Sequence, residues 1–223
     1  MKITALLPMK ANSERVPGKN FRIINNKPLF RWILDELLAV PAISQVIINT
    51  DARHKISPLL ADDSRVILRD RDDSICGDFV SMNKVIDDDV RNVPSDVYLM
   101  THTTNPLITA GTIGAALAKF QEEAERGDAD SLFSVNQVQG RFYDKNISPI
   151  NHDPNRLIRT QDLEPWFEEN SCLYLFTKAS FVGSGSRIGK RPAMFVTPKL
   201  ESIDIDDQAD WELASALLSQ RSD

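Results

Sequence analysis

The chain of 223 residues holds only two cysteines, Cys76 and Cys172, far apart. So small a supply excludes a disulfide-stapled scaffold and reads as two reduced thiols in a cytoplasmic protein. No apolar run approaches the length of a membrane span. The short apolar run at the N-terminus passes straight into a polar loop, so no signal peptide is read. Basic residues are not in excess: 26 Lys and Arg stand against 32 Asp and Glu, a net charge of −6. That balance excludes a broad nucleic-acid footprint. Internal repeats and low-complexity tracts are lacking. No Gly-x-Gly-x-x-Gly follows the first apolar run, which sets aside a dinucleotide dehydrogenase. What remains, at 42% hydrophobic residues, is an ordinary globular core, in which an anion site must gather its cations locally.

One segment does so. Ile3 to Leu7 reads as a buried strand, and the helical pattern of Leu29, Ile33, Leu34, Leu37 and Leu38 begins well after it. Between them lies a loop with three cations, Lys10, Arg15 and Lys19, and two polar partners, Ser13 and Asn20. Pro17 stiffens the turn and Gly18 lets backbone approach a ligand. A loop at the carboxyl end of a first strand is where open α/β sheets bind ligands. Cations and free backbone N–H groups there suit a polyphosphate.

The rest of the chain alternates. Apolar β-branched runs at 3–7, 45–49, 65–68, 97–100 and 132–135 are separated by helical periodicity at 29–38, 79–90 and 112–123. This predicts an α/β fold: a Rossmann-like, mostly parallel sheet with helices on both faces. The chain reads as one domain, 1–223. Residues 137–170, with Gly140, Pro149, Pro154 and Pro165, read as an extended excursion from it. Trp166-Phe167 is an aromatic pair suited to an interface, or to local packing under the loop. Strands are expected at 171–176, 193–196 and 202–206, before a last amphipathic helix carrying Trp211, Leu213, Ala214, Leu217 and Leu218.

Ser202-Ile203-Asp204-Ile205-Asp206-Asp207 alternates apolar and acidic residues. On a strand, Asp204 and Asp206 would share a face, about 7 Å apart at Cα. Two carboxylates so placed can hold Mg²⁺, which takes one or two protein carboxylates and completes its shell with water and phosphate. Capping of the final helix is the alternative use, with Asp206 or Asp207 as cap and Asp210 in the first turn. A phosphate loop and a carboxylate pair together describe a nucleoside-triphosphate site.

These motifs resemble the cytidylyltransferases that activate sialic acids and related sugar acids. Pro8, Ser13, Arg15, Pro17, Lys19 and Asn20 match the family's first loop. Thr50-Asp51, Leu68-Arg69, Asp78 and Ser81, Thr103-Thr104-Asn105-Pro106-Leu107, Gln161-Asp162-Leu163, Asn170 and Tyr174 resemble its later motifs, and Ser202 to Asp206 is close to its Ser-Ile-Asp-Ile-Asp. The chain departs from the pattern at Lys10, Ala11-Asn12, Glu14, His102, Thr160 and Ser171.

The resemblance implies transfer of CMP from CTP to the anomeric hydroxyl of a sialic acid-like 2-keto-3-deoxy sugar acid, with release of pyrophosphate. Lys19 would meet the α-phosphate and the transition-state charge, and Lys10 and Arg15 the β- and γ-phosphates. Ser13 and Asn20 would hold phosphate or ribose. Arg69 and Ser81 would read cytosine, although Arg69 could equally pair with Asp70 or Asp72. Asp204 and Asp206 would hold Mg²⁺, and Lys19, Arg15 and Asp204 would be the catalytic groups. His102, Asn170 and Tyr174 would face the sugar acid, His102 as a neutral imidazole. The excursion would help form a homodimer. Kdo as acceptor, another sugar nucleotidyltransferase, and a nucleotide-binding module without chemistry stay open as rivals.

Overall fold

In a computed structural model, described for residues 1–13, 15–60 and 63–221, strand–helix alternation builds a seven-stranded sheet. Its elements in chain order begin with β1 (Ile3–Leu6), the two-residue strands β2 (Ile23–Ile24) and β3 (Lys27–Pro28), α1 (Leu29–Ala39) and β4 (Ile43–Thr50). They continue through α2 (Arg53–Ile56), β5 (Val66–Asp70), α3 (Met82–Asn92), β6 (Val97–Met100) and α4 (Ala110–Glu125). The last are β7 (Ser131–Val138), β8 (Trp166–Phe176), α5 (Lys178–Ser184), β9 (Pro192–Val196) and α6 (Gln208–Leu218).

The sheet order is β5-β4-β1-β6-β8-β7-β9, and β2 and β3 form a separate hairpin. β8 pairs antiparallel with both β6 and β7, while the β5–β4–β1–β6 and β7–β9 pairings are parallel. The expected mostly parallel sheet therefore carries one reversed strand. From β1 the chain crosses to β4 on one side and later to β6 on the other, so the topological switch point lies between β1 and β6. There the loops leaving both strands diverge and open a crevice.

Sequence periodicity explains the layers. Phe30, Ile33, Leu34 and Leu37 of α1, and Ile113, Ala116, Leu117 and Phe120 of α4, recur at helical spacing and are buried against Ala5, Val46, Leu99 and Leu175. The alternate strand residues Leu6, Ile47, Tyr98, Met100 and Phe176 face the other way and pack on Ile86 and Val90 of α3 and Phe181 of α5. A third cluster joins Trp211, Ala214 and Leu218 of α6 to Leu29, Trp32, Ile24, Ile205 and Val16. Val16 belongs to the first loop, so this cluster moors the cationic segment to the C-terminal helix.

Some expected elements differ. Residues 202–206 form no strand; Ile205 instead donates its N–H to the Thr104 carbonyl at 2.9 Å. The final helix is capped by Asp207, which accepts from the N–H groups of Ala209 and Asp210, while Asp210 returns a bond to the Asp207 N–H. The helix expected from residue 79 starts at Met82, because the Ser81 hydroxyl caps it by accepting from Asn83 N–H. Residues 139–165 leave the sheet, with only a short 3-10 turn at Thr160–Asp162 and a bridge between Tyr143 and Pro149. Trp166 stacks on Phe142 at 4.9 Å yet keeps 38% of its surface exposed. Cys76 and Cys172 are both free thiols.

Candidate active site

The first loop begins by extending the sheet. Leu7 and Met9 N–H donate to Ile47 and Asn49 carbonyls at 2.9 and 3.1 Å, and Ala11 N–H donates to the Asp51 carboxylate at 2.7 Å. The chain then turns at Gly18, whose φ of 64° lies in the left-handed region, into a short 3-10 turn that carries Lys19 and Asn20 inward. Asn20 spans the crevice: its Nδ2 donates to the Lys10 carbonyl at 2.9 Å, and its Oδ1 accepts from the Thr103 hydroxyl at 2.7 Å. It thereby locks the β1 loop to the β6 loop. Val16, 1% exposed, anchors the same turn from beneath. Fully burying such a side chain stabilises by about 1.5 kcal/mol or more.

The crevice so formed has a volume of about 390 Å³. Lys10, Ser13, Arg15, Lys19, Asn20 and His102 all line it, six of the residues that the sequence singles out. Lys10 pairs across it with Asp78, and Arg15 pairs with Asp206 at 2.8 Å. Lys19 Nζ donates to the Ile205 carbonyl. Burial lowers the Lys19 pKa, while Asp204 and Asp206 both oppose that shift, so the two carboxylates stand near the ammonium. The expected strand is wrong, but the expected convergence of the two motifs is present. Glu14 lies outside the described residues.

Asp204 is the more enclosed carboxylate. Burial, and then the charge of Asp206, raises its pKa, against the Thr104 side chain and Lys19. Its Oδ1 is buried with no hydrogen-bond partner among the described residues. An orphaned, enclosed carboxylate oxygen beside a second carboxylate fits a Mg²⁺ ion, whose hardness and preference for one or two protein carboxylates match this donor set. No group of three or more His, Cys, Asp or Glu side chains gathers to hold a metal, again among the described residues.

His102, half-buried at the end of β6, has its pKa pushed down to about 3 by burial and by the charges of Arg187 and Lys19. It is therefore neutral near pH 7, as expected from the sequence. So weak a base is poorly matched to taking a proton.

Four other singled-out residues sit elsewhere. Arg69 turns under the sheet edge to α3, pairing with Asp88 at 3.0 Å and with Asp89. Its partners are thus neither Asp70 nor Asp72, and it does not line the crevice. Asp70 pairs instead with Arg53 at 2.6 Å. Ser81 spends its hydroxyl on the α3 cap. Asn170 is buried in a polar network with Ser134, Asn136 and Thr197. Tyr174 donates to the Glu169 carboxylate and accepts from Arg187 at 3.0 Å.

Sequence reasoning missed Arg71. It lines the crevice, held by bonds from its Nε to Asn49 Oδ1 at 3.0 Å and from its Nη2 to the Asn49 carbonyl at 2.9 Å. The available signal was position: Arg71 is the first residue after the carboxyl end of β5, where an open sheet places ligand contacts.

Residues 4–209 match the family model described as Cytidylyltransferase. The chain belongs to the cytidylyltransferase family. Pseudaminic acid cytidylyltransferase of Campylobacter jejuni is 22% identical, over 97% of this chain and 96% of its own. CMP-N,N'-diacetyllegionaminic acid synthase of Legionella pneumophila is 24% identical, over 98% of this chain and 97% of its own. N-acylneuraminate cytidylyltransferase of Oncorhynchus mykiss is 26% identical, over 95% of this chain and 49% of its own. Among solved structures, one of CMP:2-keto-3-deoxy-manno-octonic acid synthetase complexed with CTP superposes with a TM-score of 0.71 at 17% identity, covering 99% of both chains. It shares the fold of this cytidylyltransferase. No described helix of the cytidylyltransferase is long and apolar enough to cross a membrane.

Proposed function

We propose that this cytidylyltransferase transfers CMP from CTP to the anomeric hydroxyl of a sialic acid-like 2-keto-3-deoxy sugar acid, releasing pyrophosphate. The observation that carries the reading is the meeting of Lys19 with Asp204 and Asp206 at the switch point of the sheet. The names of the relatives, which act on pseudaminic, legionaminic and neuraminic acids, support the acceptor class.

Attack on an α-phosphorus demands positioning and neutralisation of charge more than covalent catalysis. Lys19 is buried and held by the Ile205 carbonyl, so its ammonium meets the α-phosphate without reorganising. Arg15 and Lys10 line the same crevice and serve the outer phosphates by exchanging Asp206 and Asp78 for phosphate oxygens. Arg71 adds a planar guanidinium to the crevice lining, beside Met9 and Asn49. Asn20 acts by fixing the two walls to each other. Asp204 and Asp206 would hold Mg²⁺, which, when bound, neutralises phosphate charge. Neutral His102 can hydrogen-bond the attacking hydroxyl.

The excursion supports a homodimer. Tyr143, Ile147, Ile150, Leu157, Trp166 and Phe167 are each at least 38% exposed, apolar side chains that a second copy would cover. Sedimentation at micromolar concentration should give twice the chain mass, and Leu157→Asp with Phe167→Asp should halve it.

The reaction is tested by pyrophosphate release. The enzyme, CTP and Mg²⁺ are incubated with N-acetylneuraminic, pseudaminic, N,N'-diacetyllegionaminic or 3-deoxy-manno-octulosonic acid. Release with a nine-carbon acid supports the proposal. Release only with the eight-carbon acid, or equal use of UTP, moves the enzyme to another branch.

A further inference from the structure

Beside the main crevice a second hollow of about 270 Å³ opens between β8, the start of α3 and the loop after α5. Met82 lines both, so the two spaces adjoin at that side chain. Ser81, Asn83, Glu169 and Ser186 give the hollow polar walls, and Arg187 is its cation.

The fold goes to some length to set Arg187 there. Helix α5 stops at Gly185, whose φ of 70° is left-handed. The following loop is pinned to the start of β7: Asp130 accepts from the N–H groups of Lys190 and Arg191, both at 3.0 Å, and Ser131 Oγ accepts from Gly189 N–H at 2.8 Å. A Cβ at Gly189 would collide with the Asp130 carboxylate and the Ser131 hydroxyl, so the approach is closed to larger residues. Arg187 then lies with its guanidinium 3.9 Å over the Tyr174 ring and donates to the Tyr174 hydroxyl at 3.0 Å. Stacking of this kind fixes the plane of the fork before any ligand arrives. The Glu169 carboxylate forms an ion pair with it at 3.8 Å, too long for a hydrogen bond. After burial, the charge of Arg187 helps lower the His102 pKa, so the guanidinium faces that side of the main crevice.

A 2-keto-3-deoxy sugar acid carries its carboxylate on the same carbon as the attacking hydroxyl. Once that hydroxyl faces the α-phosphate, the carboxylate is brought beside a triphosphate, and the two anions repel. A cation is needed next to the phosphate cations but separate from them. We infer that Arg187 receives the carboxylate of the acceptor, the hollow beside Met82 being the acceptor's side of the site. This rests on the proposed reaction. The carboxylate takes a forked pair of N–H bonds, and Glu169, already bonded to Tyr174, gives way.

The test compares Arg187→Gln and Arg187→Lys with wild type, using whichever of the four acids wild type turns over best, and that acid's methyl ester. For Arg187→Gln the KM for the acid should rise about 30-fold or more, as loss of a charge-assisted bond demands. The Kd for CTP, measured without acid, should stay within about twofold. Wild type should prefer acid over ester, Arg187→Lys should keep part of that preference, and Arg187→Gln should lose it. Unchanged acid KM and undiminished rejection of the ester in Arg187→Gln would overturn the inference. A matching rise in CTP Kd would also overturn it, giving Arg187 to the triphosphate. Should Arg187→Gln fail to fold, undiminished ester rejection in Arg187→Lys overturns it equally. Wild type that releases no pyrophosphate with any of the acids sinks the proposed reaction itself, and the inference with it.

Discussion

The ammonium of Lys19 donates to the main-chain carbonyl of Ile205, 186 residues further along the chain. That bond sets the buried cation beside Asp204 and Asp206. Burial lowers the pKa of the ammonium, and the two carboxylates oppose that shift. A cation held so, in a place where water is scarce, acts on developing phosphate charge more strongly than one in solvent.

Lys19→Ala should therefore fold and lose turnover. Removal of one preorganised charge should cost about 3–4 kcal/mol in the transition state, seen as a loss in kcat at least as large as the loss in CTP affinity. A variant with intact kcat and a raised KM for CTP would make Lys19 a binding cation only.

Asp204→Ala and Asp206→Ala should each lower Mg²⁺-dependent pyrophosphate release by orders of magnitude, and EDTA should abolish it in wild type. Asp204 ionises at higher pH than an ordinary carboxylate because it is buried beside Asp206. Bound Mg²⁺ would oppose that shift, so the acid limb of kcat/KM should move to lower pH as Mg²⁺ is raised. An EDTA-resistant enzyme would exclude this pair as the metal site.

Arg69 and Arg71 should part ways under mutation. Arg71→Ala should raise the KM for CTP with little change in melting temperature. Arg69→Ala should chiefly destabilise, by about 3 kcal/mol, because it leaves the buried Asp89 without its cation. Denaturant melts alongside CTP titrations decide it; a stable Arg69→Ala protein unable to bind CTP would restore Arg69 to the base.

Asp89 predicts a pH signature in stability. It is 1% exposed and shares Arg69 with Asp88, so one negative charge in the cluster is in excess, and burial raises its pKa to about 6. A carboxyl whose folded pKa exceeds the unfolded value favours folding most below about pH 4, and that advantage fades as pH rises to about 6. Relative to Asp89→Asn, wild type should lose about 2 kcal/mol between pH 4 and pH 7. Parallel stability curves for the two proteins across that range would place Asp89 at an ordinary pKa.

The layers of the fold were legible because helical spacing in Phe30-Ile33-Leu34-Leu37 and apolar strand runs report burial directly. The first loop was legible because its cations crowd one strand end. Period-two alternation at Ile203–Asp206 misled for a physical reason. It reports an extended backbone with one buried side, and Ile205 is buried against α6 without joining any ladder. The hairpin at Ile23–Pro28 went unread, although Asn25 and Asn26, with φ of 47° and 60°, are the residues a two-residue turn prefers. Helix α5 was too short to show periodicity, and its Thr177–Ser180 capping box was its one local signal. Arg71 was signalled only by its place after β5, and Arg187 gave no local sign, since distant strands decide what lies beside it.

The moorings of the phosphate loop also set an order of events during synthesis. Val16 and Lys19 emerge from the ribosome early, but Ile205, Trp211 and Leu218, on which the loop rests, emerge nearly two hundred residues later. Until then the sheet can assemble from β1 to β8 while the loop has neither its apolar seat nor its carbonyl. On the proposed reading, CTP-linked stabilisation should reach only molecules whose α6 has docked.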